Sequence, residues 1–308
     1  MSRLKPCIRP SAAVLLAGCL FGTPLAGAQA ESLPRLFAER WIDGTNGDEP
    51  AAQVQALDAD TFVIRQSITT NFEAPFLYLL FGQDTVLLID SGAENGRIRP
   101  VVDQIVAEWL AAHNRTNIPL VVAHSHSHGD HVAGDAAFRE RSDTTVVGLK
   151  SADVASFFGI RNWPEETATY DLGGRKLTIL PTPGHQVAAI MVYDPRLKIL
   201  ISGDTIYPGR LYIPVNFLAD NRASIDRLAA FARRHPIRAV LGAHIEMTRS
   251  PGRDYGHEAL THPDEHPLEL PASTISELRT GLKARLDTPG QSQVHDRFII
   301  TPVPARAE

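Results

Sequence analysis

Beyond residue 19 the 308-residue sequence contains no cysteine. Cys7 and Cys19 both lie in a stretch that reads as an export leader, so the chain cleaved of it has no disulfide, no thiolate nucleophile and no thiolate metal ligand. Any metal must then be gripped by nitrogen and oxygen. A bilayer-spanning run is missing too. The apolar stretch from Ala12 to Phe21 is too short and is preceded by Arg3, Lys5 and Arg9. With Ala28-Gln-Ala30 before Glu31, it has the form of a secretory signal cleaved after Ala30, which predicts a periplasmic or secreted protein. Leu16-Ala-Gly-Cys19 also resembles a bacterial lipobox that would acylate Cys19. That alternative leaves an apolar segment of only about eight residues, interrupted by Pro10. Positive charge is in deficit as well: the net charge is -5, and losing residues 1–30, with three basic groups and no acid, moves it to about -8. Acidity argues against a nucleic-acid surface and leaves a small-molecule substrate as the expected partner.

Histidine, by contrast, is concentrated in one place. Four of the 12 histidines fall in residues 124–131, His124-Ser-His-Ser-His-Gly-Asp-His131, directly after the apolar run Pro119-Leu-Val-Val-Ala123. On extended backbone, side chains two apart point the same way, so His126 and His128 can grip one ion. Asp130 and His131 follow in the turn that ends the strand and can face a second ion beside the first. A solvated histidine-rich loop is the bland reading, and His124, with no ligand role left, takes it.

Residues 31–60 read as an N-terminal arm without chemistry, and 61–308 as one catalytic domain with a helical C-terminal extension. The β-rich runs 61–67, 76–81 and 85–89 are divided by turn residues. Apolar residues at 98, 101, 102, 105, 106, 109 and 110 predict a helix over 98–112, before strand 119–123. A short helix over 132–139, a buried strand over 144–149 and a helix N-capped by Ser151 follow. Further strands are predicted at 176–180, 189–193, 197–201, 237–241 and 298–300, with helices at 221–235 and 273–286. Two strand groups with helices between them suggest two sheets packed face to face, helices outside.

Three more candidate ligands sit where strands end: His185 in Pro181-Thr-Pro-Gly-His185, Asp204 in Ile201-Ser-Gly-Asp204, and His244 in Leu241-Gly-Ala-His244. One such residue is ordinarily a turn former. Three with the same polarity, after the octapeptide, are not. The order His126-x-His128-x-Asp130-His131, His185, Asp204, His244 resembles the metallo-β-lactamase superfamily over about residues 60–245, with Asp90 of Ile89-Asp-Ser-Gly92 similar to its early structural aspartate.

That resemblance implies an α/β fold, a four-layer αβ/βα sandwich of two mixed sheets with a binuclear centre at one edge. Carried over residue by residue, His126, His128 and His185 would hold the first metal, Asp130, His131 and His244 the second, and Asp204 would bridge them. Such nitrogen and oxygen donors suit two zinc ions, and iron or manganese would also fit. The reaction implied is hydrolysis by a metal-bridging hydroxide of a small ester, thioester, lactone or lactam. Asp130 would orient the hydroxide and shuttle its proton, while Asp90 would fix the histidine loop from behind.

Asp204 stands where β-lactamases resemble one another in having cysteine or serine, and so looks like glyoxalase II, the lactonases and related branches. Against cytosolic glyoxalase II stand the leader, Gln186 after His185 and the lack of a recognisable glutathione-binding segment. Tyr207 resembles in spacing a lactonase tyrosine that polarises the substrate carbonyl. Arg210 and Tyr212, in the loop-like segment Tyr207–Ile213, are candidate substrate-binding residues, and 246–267 is a second rim whose His257, His262 and His266 read as surface. A β-lactamase-type hydrolase is the alternative, or a non-hydrolytic di-iron protein of the same fold acting with a flavin partner.

Overall fold

The computed structural model describes residues 35–284 and 290–306. The leader, its cleavage site and the lipobox lie outside these residues. Among the described residues no helix is long and apolar enough to cross a membrane.

The first sheet has six strands in sequence order: β1 (Ala52–Asp58), β2 (Thr61–Gln66), β3 (Phe76–Phe81), β4 (Val86–Ile89), β5 (Leu120–Ala123) and β6 (Thr144–Val146). β1 to β4 pair antiparallel, β1 with β2 and β3 with β4 through short turns and β2 with β3 through the longer loop 67–75, and α1 (Ile98–Ala112) is the crossover that makes β4 and β5 parallel. The octapeptide opens α2 (Gly129–Val132), and α3 (Asp135–Arg139) and α4 (Ser151–Phe158) follow. The second sheet contains β7 (Ala168–Asp171), β8 (Lys176–Pro181), β9 (Ile190–Asp194), β10 (Ile199–Gly203), β12 (Ala239–Gly242) and β13 (Glu269–Leu270), in the order 13-12-10-9-8-7. Between β10 and β12 the chain forms β11 (Arg210–Pro214) and α5 (Leu218–Ala232), and after β13 it forms α6 (Ser273–Gly281). β14 (Gln293–Val294) and β15 (Ile299–Val303) complete a small third sheet on β11.

Strand alternation divides the apolar side chains between three cores. Tyr78, Leu80, Leu87, Ile89 and Val121 face Ile179, Ile190, Val192, Ile201 and Leu241 of the other sheet. Leu77, Leu79, Val86 and Leu88 point outward onto Val102, Ile105, Val106 and Trp109 of α1. Leu180, Met191, Leu200 and Val240 point outward onto Ile225 and Leu228 of α5 and Ile275 and Leu278 of α6. The result is the expected helix, sheet, sheet, helix layering. Each such buried aliphatic side chain contributes about 1.5–3 kcal/mol, so strand ends on this frame are rigid mounting points.

Three predicted elements differ. Within the arm, 52–58 forms β1, an edge strand in which Gln55 is buried and Val54 is exposed. The predicted buried strand 144–149 shrinks to β6, a partly exposed edge strand. The Tyr207–Ile213 loop is instead half strand, because Arg210–Pro214 pairs in parallel with Ile299–Val303.

Candidate metal centre

Strand ends build this site. His126 to His131 follow β5, His185 follows β8, Asp204 follows β10 and His244 follows β12, all at the same edge of the sandwich. Two backbone bonds tie the sheets together there: Ile190 donates to the Ser125 carbonyl at 2.8 Å and Phe76 to that of Ala243 at 2.7 Å. Gly203 makes the approach feasible. Its φ is 52°, and a Cβ on it would lie 2.6 Å from that of Ser125, so a side chain here would push Asp204 away from the histidine loop.

The side chains gather into two groups: His126, His128 and His185, and Asp130, His131, Asp204 and His244. In the first, His128 Nδ1 lies 2.9 Å from both His126 Nε2 and His185 Nε2. In the second, Asp130 Oδ2 lies 2.9 Å from His131 Nε2 and 3.2 Å from His244 Nε2. Asp204 stands between them. Its Oδ2 is 3.8 and 3.7 Å from His126 and His185, and its Oδ1 is 3.4 and 3.3 Å from His131 and His244.

Outer hydrogen bonds aim these rings. His185 Nδ1–H donates to the Tyr212 carbonyl at 2.8 Å and His244 Nδ1–H to that of Glu73 at 2.7 Å. Both acceptors are carbonyls, so each ring must carry its proton there and turn the Nε2 lone pair inward. Asp90 serves the same end for the octapeptide. It accepts the Ser125 N–H at 2.7 Å, the Ser125 hydroxyl at 2.8 Å and His131 Nδ1–H at 2.9 Å, which fits its expected place behind the histidine loop.

Electrostatics separates the groups. Burial, then the charge of His131, pushes His126 well below the ordinary histidine range; burial and His185 bring His128 down to about 4, and burial lowers His185 too. Burial opposes charge on His131 and His244 as well, yet the facing carboxylates outweigh it and hold both well above that range. Burial would raise Asp130 and Asp204, but the same two imidazoles keep both carboxylates ionised. One group is thus a set of neutral nitrogen donors and the other a carboxylate-rich pocket. Metal ions fit them: Asp204 Oδ1 is buried with no hydrogen-bond partner, and its nearest neighbours are the converging ring nitrogens.

Other predicted residues have different employment. His124 is buried, not a solvated loop residue, and its Nε2 bonds Asp135 Oδ1 at 2.8 Å. Tyr207 is 2% exposed, with its hydroxyl donated to the Arg210 carbonyl and near Glu246, so it is a wall of the site with no free proton for a substrate carbonyl. Arg210 is not free either: it pairs with Glu246 and Asp254, each at 2.8 Å, and with Tyr212 Oη at 2.9 Å. Of the rim histidines only His257 is exposed. His262 stacks on Tyr255 at 4.1 Å and bonds Glu265, and His266 is buried. Ser125, Glu73, Glu246 and Arg306, which also shape the site, carried no sequence signal beyond their proximity to ligands, and Arg306 lacked even that.

The family model of the metallo-beta-lactamase superfamily matches residues 71–244, from the loop before β3 to the last candidate ligand. The chain belongs to that superfamily. Among its relatives in the superfamily, the hydroxyacylglutathione hydrolase of Mesorhizobium japonicum is 33% identical over 190 residues, 59% of this chain and 69% of that protein. The one of Rhizobium meliloti is 29% identical over 161 residues, 51% of this chain and 56% of that protein. An acyl-coenzyme A thioesterase of Gallus gallus is 25% identical over 229 residues, covering 62% and 79%. A metallo-beta-lactamase of Pseudomonas aeruginosa solved in its mono-zinc form shares the fold, with a TM-score of 0.50 at 16% identity over 78% of this chain and 98% of that one.

Proposed function

We propose that this chain is a metal-dependent hydrolase that cleaves thioesters at a two-metal centre, with His126, His128 and His185 holding one ion, Asp130, His131 and His244 the other, and Asp204 bridging. The observation that carries this reading is the Asp204 carboxylate, which turns one oxygen to each group and leaves Oδ1 buried without a hydrogen bond. Bound divalent cations would supply Lewis acidity and bring the pKa of a coordinated water to near ~7. Zinc suits the donor set, and metal analysis of the active protein distinguishes it from iron or manganese.

The protein's own groups do the rest. Asp130, ionised and partly exposed at the mouth of the site, is the base we assign to the attacking water and the group that returns the proton to the departing thiolate. Asp90, Ser125, Glu73 and the Tyr212 carbonyl keep the rings in the tautomers that direct lone pairs inward. Tyr207 and Arg210 form a rigid wall. Thioester chemistry is favoured over lactone or lactam because two sets of relatives are named for it, the hydroxyacylglutathione hydrolases and the acyl-coenzyme A thioesterases. From the leader we also infer export to the periplasm or beyond.

The test is a turnover panel on zinc-reconstituted protein: lactoylglutathione, an acyl-coenzyme A, an acyl-homoserine lactone, a chromogenic cephalosporin and a phosphodiester. Thioesters should be cleaved fastest. Preferred cleavage of the cephalosporin, or no thioester turnover with zinc bound, refutes the reading.

A further inference from the structure

Arg306 reaches the mouth of the metal centre from the far end of the chain. β15 runs parallel to β11, and just beyond it Asn216 clamps the backbone of Arg306 by a reciprocal pair: Nδ2 donates to the Arg306 carbonyl at 3.0 Å and the Arg306 N–H donates to Oδ1 at 3.1 Å. With the backbone so held, the guanidinium Nη1 lies 3.3 Å from His128 Nε2, on the outer edge of the ring whose Nδ1 faces His126 and His185. Arg306 is exposed and, among the described residues, forms no ion pair. It differs in this from Arg210, whose charge two carboxylates already meet.

The contact with His128 is chemically incomplete. A guanidinium offers only donors. Once Nδ1 of His128 turns its lone pair to a cation, the neutral ring must carry its proton on Nε2, and two donors then face each other across 3.3 Å. An oxygen with lone pairs to spare, seated beside the pair at about 2.9 Å from each nitrogen, accepts from both, and a negatively charged one also meets the uncompensated charge of Arg306.

We propose that Arg306 and the outer nitrogen of His128 form an anion subsite, one imidazole ring away from the reacting carbonyl, that takes a carboxylate or phosphate carried by the substrate. The inference rests on the hydrolase reading and narrows its substrates to anionic thioesters. It also assigns a selective role to the C-terminal tail: the tail positions a charged group at this mouth that distinguishes a charged substrate from a neutral one.

The experiment uses the full chain reconstituted with zinc and three unreactive thioethers of N-acetylcysteamine that share a linker and end in a carboxylate, a phosphate or a primary amide. Calorimetry should show one anionic thioether binding tenfold to a hundredfold more tightly than the amide, which is what hydrogen bonds to charged groups are worth, and the tighter of the two identifies the anion. In Arg306→Ala the preference should collapse toward unity with bound zinc unchanged, and Arg306→Lys should restore part of it. On the matching thioesters the loss should appear in KM and not in kcat. Equal binding of anion and amide by the wild type, or an undiminished preference in Arg306→Ala, overturns the subsite. If the preference holds while no thioester is cleaved, the subsite stands and the hydrolase reading falls.

Discussion

Asp90 decides whether the histidine loop is held by charge or by backbone shape. Its carboxylate is 1% exposed and accepts three hydrogen bonds, from the Ser125 N–H, the Ser125 hydroxyl and His131 Nδ1–H. Its own φ is 69°, in the left-handed region, where aspartate and asparagine are tolerated and an ordinary side chain costs about 1–2 kcal/mol. Asp90→Ala therefore incurs that strain and leaves the buried Ser125 N–H unpaired, itself worth about 1–3 kcal/mol. The metal-free protein should lose roughly 3–5 kcal/mol, the range for stripping one partner from a buried ionic network. Asp90→Asn keeps the backbone and an acceptor for Ser125 and should cost about half as much. Its amide would, however, present a donor to His131 Nδ1, driving the ring proton to Nε2, the atom that faces Asp130 and His244. Zinc affinity at the second group should then fall about 10–100-fold, the usual effect of losing a partner that orients a ligand histidine. Urea unfolding without metal measures the first quantity and competition with a chelator the second. Wild-type zinc affinity in Asp90→Asn, or equal destabilisation by alanine and asparagine, would refute the reasoning.

Asp204→Ala removes the carboxylate that, alone among the described residues, faces both groups, so metal analysis should show bound metal lost and assays most of the activity gone; full metal content with full turnover would sink the bridging assignment. Asp135 predicts an acid-limb effect. Burial raises its carboxyl, but hydrogen bonds from His124 and Ser91 and the charge of Arg139 hold it below the ordinary range. A depressed folded pKa adds stability that is present above the unfolded value of about 3.9 and is lost as pH falls through the lower folded one. Asp135→Asn should therefore be less stable by about 1–3 kcal/mol near neutral pH, with the gap closing below pH ~4. A pH-independent gap in urea unfolding would show that the charge is irrelevant.

The candidate metal ligands are legible in the sequence because their placement follows a local rule. Each ends an apolar run that the sandwich buries on both faces, so the run's own pattern says where the strand stops and the ligand begins. The helices over 98–112 and at α5 are legible for a similar reason, since their apolar periodicity is contained within the element. β11 is not. Tyr207-Pro-Gly-Arg-Leu-Tyr-Ile213 looks like a loop beside Pro and Gly, and only the arrival of β15, almost ninety positions later, makes it a strand. His262 and His266 likewise sit among Gly and Pro and look solvated, until Tyr255 and Glu265 fold over the first of them.

The same distinction runs through the site itself and separates reaction type from substrate choice. His126, His128, Asp130 and His131 lie within six residues of one another, so the chemistry they share is compressed into one phrase of sequence. The groups that orient and flank them arrive from far away: Asp90 reaches Ser125 across 35 positions, Glu73 reaches His244 across 171, and Arg306 reaches His128 across 178. No local periodicity encodes a partner at such separations, because what brings them together is sheet register and the exit direction of the last strand. Arg306 shows the consequence. As a residue in a polar tail it looks like any solvated arginine, and only the clamp on Asn216 gives its charge an address. If the anion subsite is right, substrate choice in this chain depends on residues that join the centre last in sequence order and touch no metal. Exchanging the tail beyond β15 should then alter selectivity while sparing the ligand shell.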